Sequence, residues 1–329
     1  MSFVFIDVTL NSRHLFCIVF RVLPFTHYAI IPLEPMPPIT FKRPLFLVAA
    51  LLMTACLQEI QSDGALPIVT SIYPTQTPPP STPDPVTPTP AFPPPVPITS
   101  GPINLIAIGD DLTRGVGDNI GRGYPGRLLE LVSQIRPNST VINFGQPGWT
   151  SDDLNHGRGQ FSGQLERAVG EVQSAYSQGR GAIVLVWVGE NDLWELYSGK
   201  TEVAPEREEQ DVKRFSGNIE TMLSLIRETG AAVIVARLDD QSLRPARTRS
   251  EAYPDITAGE LERMSAQIRK YNAVIDAAAQ KYNAFTVNFY GSEIFTQPAT
   301  LASDGYHPNS AGYDLISQVW YKAVSPILP

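Results

Sequence analysis

Ile106-Ala107-Ile108-Gly109-Asp110-Asp111-Leu112-Thr113-Arg114-Gly115 runs from a short apolar segment through a glycine-aspartate step into a helix start. The apolar run reaches back to Ile103, so Ile103–Ile108 reads as a buried strand. Asp111 then sits at the carboxyl end of that strand and the positive end of the helix that follows, where an anion is favoured. The same succession of strand, turn and helix recurs along the rest of the chain.

Helical spacing is expected from Tyr124 to Ile135, and Thr140–Phe144 reads as a second strand. A helix over Gln164–Ser177 precedes Ala182–Val188, the strongest strand pattern present. Phe215, Ile219, Met222, Leu223 and Ile226 share one face of a helix from Arg207 to Glu228. Ala232–Ala236 is a fourth strand, Gly259–Tyr282 a helix, Phe285–Phe289 a fifth strand and Ser310–Ala323 a last helix. Continuous apolar strands alternating with amphipathic helices call for a parallel sheet covered on both faces. Ligands in such sheets bind beyond the carboxyl ends of the strands.

Three further blocks lie beyond such strand ends: Asn143-Phe144-Gly145-Gln146-Pro147-Gly148, Gly189-Glu190-Asn191-Asp192, and Asp304-Gly305-Tyr306-His307-Pro308-Asn309. With Gly109-Asp110-Asp111-Leu112, these four blocks in this order resemble the SGNH/GDSL hydrolase family. The resemblance implies a flavodoxin-like α/β fold, a three-layer α/β/α sandwich around a mostly parallel five-stranded sheet. It also implies the roles of the site residues. His307 would be the general base and Asp304 the group that orients its ring. The oxyanion hole would be built from the backbone amides of Asp111 and Gly145 and the side-chain amide of Asn191. Glycine permits the close backbone approach such a role needs, and a side-chain amide is a neutral double donor.

The family reads Gly-Asp-Ser-Leu at the first block, and its serine is the nucleophile. Here that position holds Asp111. A carboxylate is a poor acyl acceptor, because its attack on an ester gives a mixed anhydride, and its charge opposes a developing oxyanion. No other serine near the helix start offers a replacement, and Thr113, two residues on, is expected to point elsewhere. With Asp304 on one side and Asp111 on the other, His307 is expected to be more basic than an ordinary histidine. His156, the other histidine after residue 100, follows a polar run and reads as a surface residue. Trp149, Trp187, Trp194 and Tyr306 lie near the expected site and suit stacking on sugar rings or an acyl pocket; Trp187, inside a strand, also suits core packing.

The chain ahead of residue 103 differs in kind. Fourteen of the 30 prolines fall between Pro67 and Pro102, which favours extended polyproline II over a packed core. Residues 57–102 are therefore expected to be a disordered tether, reaching on the order of 100 Å at about 3.1 Å per residue. Lys42-Arg43, the apolar stretch Pro44–Met53 and the ending Thr54-Ala55-Cys56 resemble a bacterial lipoprotein signal over 36–56, with Cys56 as the lipidated mature N-terminus. Two acyl chains there would anchor the protein stably to a membrane outside the cytoplasm. Residues 1–35 then read as an over-extended gene start ahead of Met36.

The net charge of −8 gives no reason to expect nucleic acid. Cys17 and Cys56, the two cysteines, exclude a disulfide framework and a cysteine-based zinc site. No cofactor or metal is expected, and the partner is a small molecule or a polysaccharide or lipid ester met by a monomer. The leading expectation is a membrane-anchored esterase-family domain, 103–329, with ester hydrolysis lost or altered and an acylated carbohydrate or lipid-type ligand bound. Two alternatives stand beside it: a hydrolase in which Asp111 and His307 activate water, and a non-catalytic envelope interaction module.

Overall fold

A computed structural model describes residues 4–10, 13–19, 92–198, 202–248 and 256–329. Strands β1 (Val4–Leu10) and β2 (Arg13–Val19) form an antiparallel pair, with Val4 opposite Val19 and Leu10 opposite Arg13. They fall within the stretch expected above to be an over-extended start. The expected signal, Cys56 and the tether up to residue 91 lie outside the described residues.

The larger unit is built on five parallel strands: β3 (Ile103–Gly109), β4 (Thr140–Asn143), β5 (Gly181–Trp187), β6 (Ala232–Arg237) and β7 (Phe285–Asn288). Their spatial order is β4-β3-β5-β6-β7, and each neighbouring pair is parallel. This α/β fold carries helices α1 (Asp111–Arg114), α2 (Gly123–Ser133), α3 (Ser151–His156), α4 (Gln164–Ser177), α5 (Glu190–Tyr197), α6 (Pro205–Glu228), α7 (Ala258–Lys281) and α8 (Ser310–Val324). Helices α2 and α8 pack together on one face and α4, α6 and α7 on the other. The expected strands and long helices fall within two residues of these bounds; α3 and α5 had no counterpart in the sequence pattern.

Every residue of β3 is buried, and the run from Ala182 to Trp187 in β5 is buried too. Both faces of the sheet are covered, which is why neither strand alternates. Trp187 is fully buried and takes the packing role: its ring stacks on Phe289 at 4.3 Å and meets Tyr124 and Trp320, which stack on each other at 5.0 Å. This aromatic cluster seats α2 and α8 against the sheet. On the opposite face Phe215 stacks on Tyr271 at 3.9 Å and joins α6 to α7.

The domain begins earlier than residue 103. Ile98 is buried in the core, and the Val96 amide donates to the Gly230 carbonyl at 2.9 Å. Asn283 donates to the Phe92 carbonyl and Arg227 to that of Pro93. Residues 92–102 are extended, as their prolines require, yet they lie along the domain rather than belonging to a free tether. An extended chain without internal hydrogen bonds has all its backbone groups available for such docking.

Candidate active site

β4 lies on one side of β3 and β5 on the other, so the chain changes direction across the sheet between β3 and β5. A crevice opens at the carboxyl ends of two strands diverging in this way. Asp111 leaves the end of β3 and Asn191 the end of β5, which places them on its two walls.

The end of β3 is fixed by side chains from distant elements. A Cβ on Gly109 would meet the Trp187 carbonyl at 2.0 Å, so only glycine fits. Gln164, fully buried at the start of α4, accepts from the Gly109 amide at 2.8 Å and donates to its carbonyl at 2.9 Å. Asp110 caps α1 through Oδ1, which accepts from the Leu112 amide at 3.2 Å. This sharp, doubly held turn delivers Asp111 into the crevice. Thr113 points away, with Oγ1 3.4 Å from the Trp187 carbonyl.

Asp111 Oδ2 accepts two hydrogen bonds, from the Gly148 amide at 2.9 Å and from Asn191 Nδ2 at 2.8 Å. Its Oδ1 stands 3.7 Å from His307 Nε2. On the far side of the ring, His307 Nδ1 lies 2.7 Å from Asp304 Oδ2. Asp304 Oδ1 also accepts from the amides of Tyr306 and His307, at 2.8 and 3.0 Å. One carboxylate therefore shapes the loop and orients the imidazole. The loop is anchored at its exit by Asn309, the N-cap of α8, whose Nδ2 also donates to the Ala299 and Leu301 carbonyls.

Gly145 is placed differently from its expected role. Its amide donates to Asn143 Oδ1 at 2.8 Å, and Asn143 Nδ2 in turn donates to the Thr113 carbonyl. A Cβ there would meet the Arg114 nitrogen at 2.4 Å, so glycine is needed to pack the turn against α1. Gly148, three residues on and at φ +76°, supplies the amide that reaches Asp111. The backbone amide that converges with Asn191 on Asp111 thus comes from the second glycine of the block. Ser151 gives no substitute nucleophile: it is fully buried, and its Oγ donates to Asp192 at 2.6 Å. His156 is exposed, as its polar surroundings suggested.

Beneath these groups lies a buried charge cluster that the motif blocks did not reveal. Glu190 Oε1 is 4.0 Å from His307 Nε2, and Glu190 Oε2 is 3.2 Å from Arg244 Nη2. Arg244 is fully buried; it grips Asp239 with two bonds at 2.8 and 2.9 Å and donates to the Tyr306 carbonyl at 3.2 Å. Its guanidinium also lies 4.4 Å from the centre of the Tyr306 ring. Glu190 stood within a quoted block, so a buried-acid signal was available there; Arg244 and Gln164 had no local pattern to mark them. Among the described residues no group of three histidine, cysteine or acidic side chains is arranged to hold a metal ion.

The charges divide by depth. Burial lowers the affinity of His307 for its proton, but Asp111, Glu190 and Asp304 outweigh it and hold its pKa at about 9. Burial pushes the Asp111 carboxyl up, and the neighbouring His307 together with hydrogen bonds from Asn191 and Gly148 overcomes that push and brings it below the usual range. Asp304 is lowered in the same way, with His307 overcoming its burial. Asp110 goes the other way: burial, then the charges of Glu190 and Asp111, raise its carboxyl well above the usual range.

The family model for the GDSL-like Lipase/Acylhydrolase family matches residues 107–315, and the chain belongs to that family. An uncharacterized protein of Bacillus subtilis (strain 168), YpmR, is 25% identical over 230 residues, spanning 68% of this chain and 81% of that one. Among solved structures, a variant of Axe2, an acetyl-xylooligosaccharide esterase from Geobacillus Stearmophilus, covers 70% of this chain and 96% of its own at 19% identity and a TM-score of 0.46. The psychrotrophic esterase EstA from a Pseudoalteromonas species covers 68% of this chain and 97% of its own at 17% identity and a TM-score of 0.47.

Proposed function

We propose that this chain is an envelope-anchored member of the family in which serine-type ester hydrolysis is lost, while the site is kept for an acylated carbohydrate or lipid-type ligand. The observation that carries this reading is the position of Asp111 Oδ2, which takes hydrogen bonds from both Gly148 and Asn191. Donors of this kind stabilise an oxyanion only when they are aimed at the place where it forms. A substrate carbonyl arriving here meets donors already engaged and a negative charge beside them. The second support is His307, which with a pKa of about 9 carries its proton at neutral pH and is unavailable as a base. The same protonation weighs against the water-activating alternative. The family's acyl-ester chemistry supports the ligand class. The lipoprotein-like segment ending at Cys56 supports the location.

The direct test is the full-length chain in detergent against short-chain p-nitrophenyl esters, wild type beside Asp111→Ser. Wild type is expected at background, and the serine variant on the order of 10²-fold above it, since the freed donors and an unburdened His307–Asp304 pair then serve a hydroxyl. Ester turnover by wild type, or its stoichiometric capture by a phosphonate probe, overturns the reading. Anchoring is tested separately by mass spectrometry of the mature N-terminus in the membrane fraction: a diacylated Cys56 is expected, and peptides from residues 1–35 would refute it.

A further inference from the structure

We propose that Asp111 is itself a nucleophile, and that the site opens an alkyl epoxide through a covalent ester on Asp111 which His307 then hydrolyses. This rests on the reading above that Asp111 stands in the serine's place with Oδ2 between the two donors, and it names a reaction for that arrangement.

The two carboxylate oxygens are not equivalent. Oδ2 is pinned by Gly148 and Asn191, which leaves Oδ1 as the oxygen that faces His307 Nε2 across 3.7 Å, longer than a hydrogen bond. The Asp111 side chain keeps 15% exposure, so the carboxylate is not sealed from solvent. A carboxylate attacks an acyl carbon poorly, but it displaces a leaving group from a saturated carbon without forming an anhydride. The two pinning donors are misplaced for an incoming carbonyl. They are well placed for an ester formed on Asp111, because the carbonyl oxygen of that ester is Oδ2. When water adds to Cγ, the negative charge develops on the atom these donors already hold.

The protons select the leaving group. His307 Nε2 carries a proton beside Oδ1, and an alkoxide released from an epoxide needs one, whereas a halide does not. In the first step Oδ1 forms a bond to a ring carbon, the carbon–oxygen bond of the epoxide breaks toward oxygen, and His307 protonates that oxygen. The product is a hydroxyalkyl ester of Asp111 and a neutral His307. Esterification removes the Asp111 charge, so the imidazole becomes a base at the moment a base is needed. His307 then takes a proton from water as the water oxygen attacks Cγ. The tetrahedral intermediate collapses, the glycol oxygen leaves with the proton returned by His307, and the regenerated carboxylic acid passes its own proton to His307. Epoxide and water become a vicinal diol, and the site returns to its starting charges. Asp304 acts as a positioning residue, holding Nδ1 so that Nε2 faces Oδ1.

The experiment uses the full-length chain in detergent, in excess over octene oxide, in water enriched in heavy oxygen, followed by peptide mass spectrometry across Asp111. The expected result is close to one heavy oxygen per chain on Asp111, with a first-turnover diol that carries none. In His307→Gln, checked for folding by circular dichroism, the expected result is neither diol nor label, because the variant lacks both the proton the opened ring needs and the base that hydrolyses the ester. Asp111→Asn should give neither label nor adduct. A diol labelled by solvent with no label on Asp111 would mean direct attack by water and overturn the covalent step. Absence of diol, adduct and label from folded wild type overturns the proposal but leaves the loss of serine chemistry standing, since that reading fails only if wild type turns over esters. Adduct formation with bromooctane but not with octene oxide overturns the choice of leaving group.

Discussion

Two layers of charge meet at the end of β3. The floor consists of Asp110, Glu190, Asp239 and Arg244, all nearly or fully buried, and the rim of Asp111, His307 and Asp304, partly open to water. Asp110 and Asp111 are consecutive in the chain. Yet burial raises the first carboxyl well above its usual range, and the second is drawn below it against its own burial. In the floor, burial is the largest influence on Asp110 and Glu190, and it raises both carboxyls against the single guanidinium. In the rim each carboxylate has an imidazolium or amide partner, and the partners outweigh burial. The carboxylate of Asp111 therefore places its charge in the rim, where the imidazole of His307 meets it, rather than in the floor.

The sharpest way to break this comparison is to remove the floor's cation. Arg244→Met keeps much of the volume but leaves Glu190 and Asp239 buried without a counter-charge. Removing one partner of a buried ion pair costs about 3–5 kcal/mol. The expected outcome is a loss of that size in urea unfolding at neutral pH. The loss should shrink toward pH 5, because Glu190, already raised by burial, takes up a proton in place of the lost partner. A loss independent of pH would mean that Arg244 matters for packing against Tyr306 and not for charge.

The layers also differ in how far the chain itself announces them. The rim was marked by the family resemblance of short blocks, in which Asp304 and His307 sit three residues apart before a helix cap and Asp111 follows an apolar strand. Short-range order carried that signal. The floor was not, because Arg244 belongs to no periodic segment and meets Glu190, 54 residues away, only through the tertiary fold. The strands and long helices were legible from apolar runs and helical spacing. α3 escaped because Ser151-Asp152-Asp153-Leu154-Asn155-His156 has one apolar residue; its stability comes from the Thr150–Asp153 capping box and from Asp192 gripping Ser151. Composition misled at residues 92–102, where proline density conceals the docking of Ile98. The Gly145–Gly148 exchange is subtler: both glycines were in view, but which amide faces Asp111 depends on Asn143 claiming the nearer one.

A second test addresses the joint between the layers. Gln164→Ala removes the side chain that pairs with both backbone groups of Gly109. The Gly109 carbonyl keeps a bond from the Gln146 amide at 3.1 Å, while its own amide is left buried without that partner. One unsatisfied buried donor with the lost packing costs about 2 kcal/mol. Both Asp110 and Asp111 leave this point, so the variant should also raise hydrogen exchange at the β3 end. Exchange unchanged there, despite a loss of stability, would show that the turn is held by Gly109 and α1 alone.

The smallest expected effect belongs to the rim, and its sign separates the two layers. The folded-state pKa of His307, about 9, lies above its ordinary value of 6.5. A group raised in this way adds stability that is full below about pH 6.5 and is lost as pH climbs through 9. The side chain is 18% exposed and Asp304 is 46% exposed, so solvent screens part of the attraction and on the order of 1–2 kcal/mol is expected. Urea unfolding between pH 6 and 10 should therefore show a decline centred between these two values. Asp111→Asn should flatten it, and an NMR titration of that variant should return a lower His307 pKa. Asp304 and Glu190 remain in the variant, so part of the shift should persist. If the pKa instead stays near 9, the floor and Asp304 alone hold the proton, and Asp111 contributes nothing to the charge of the ring it faces.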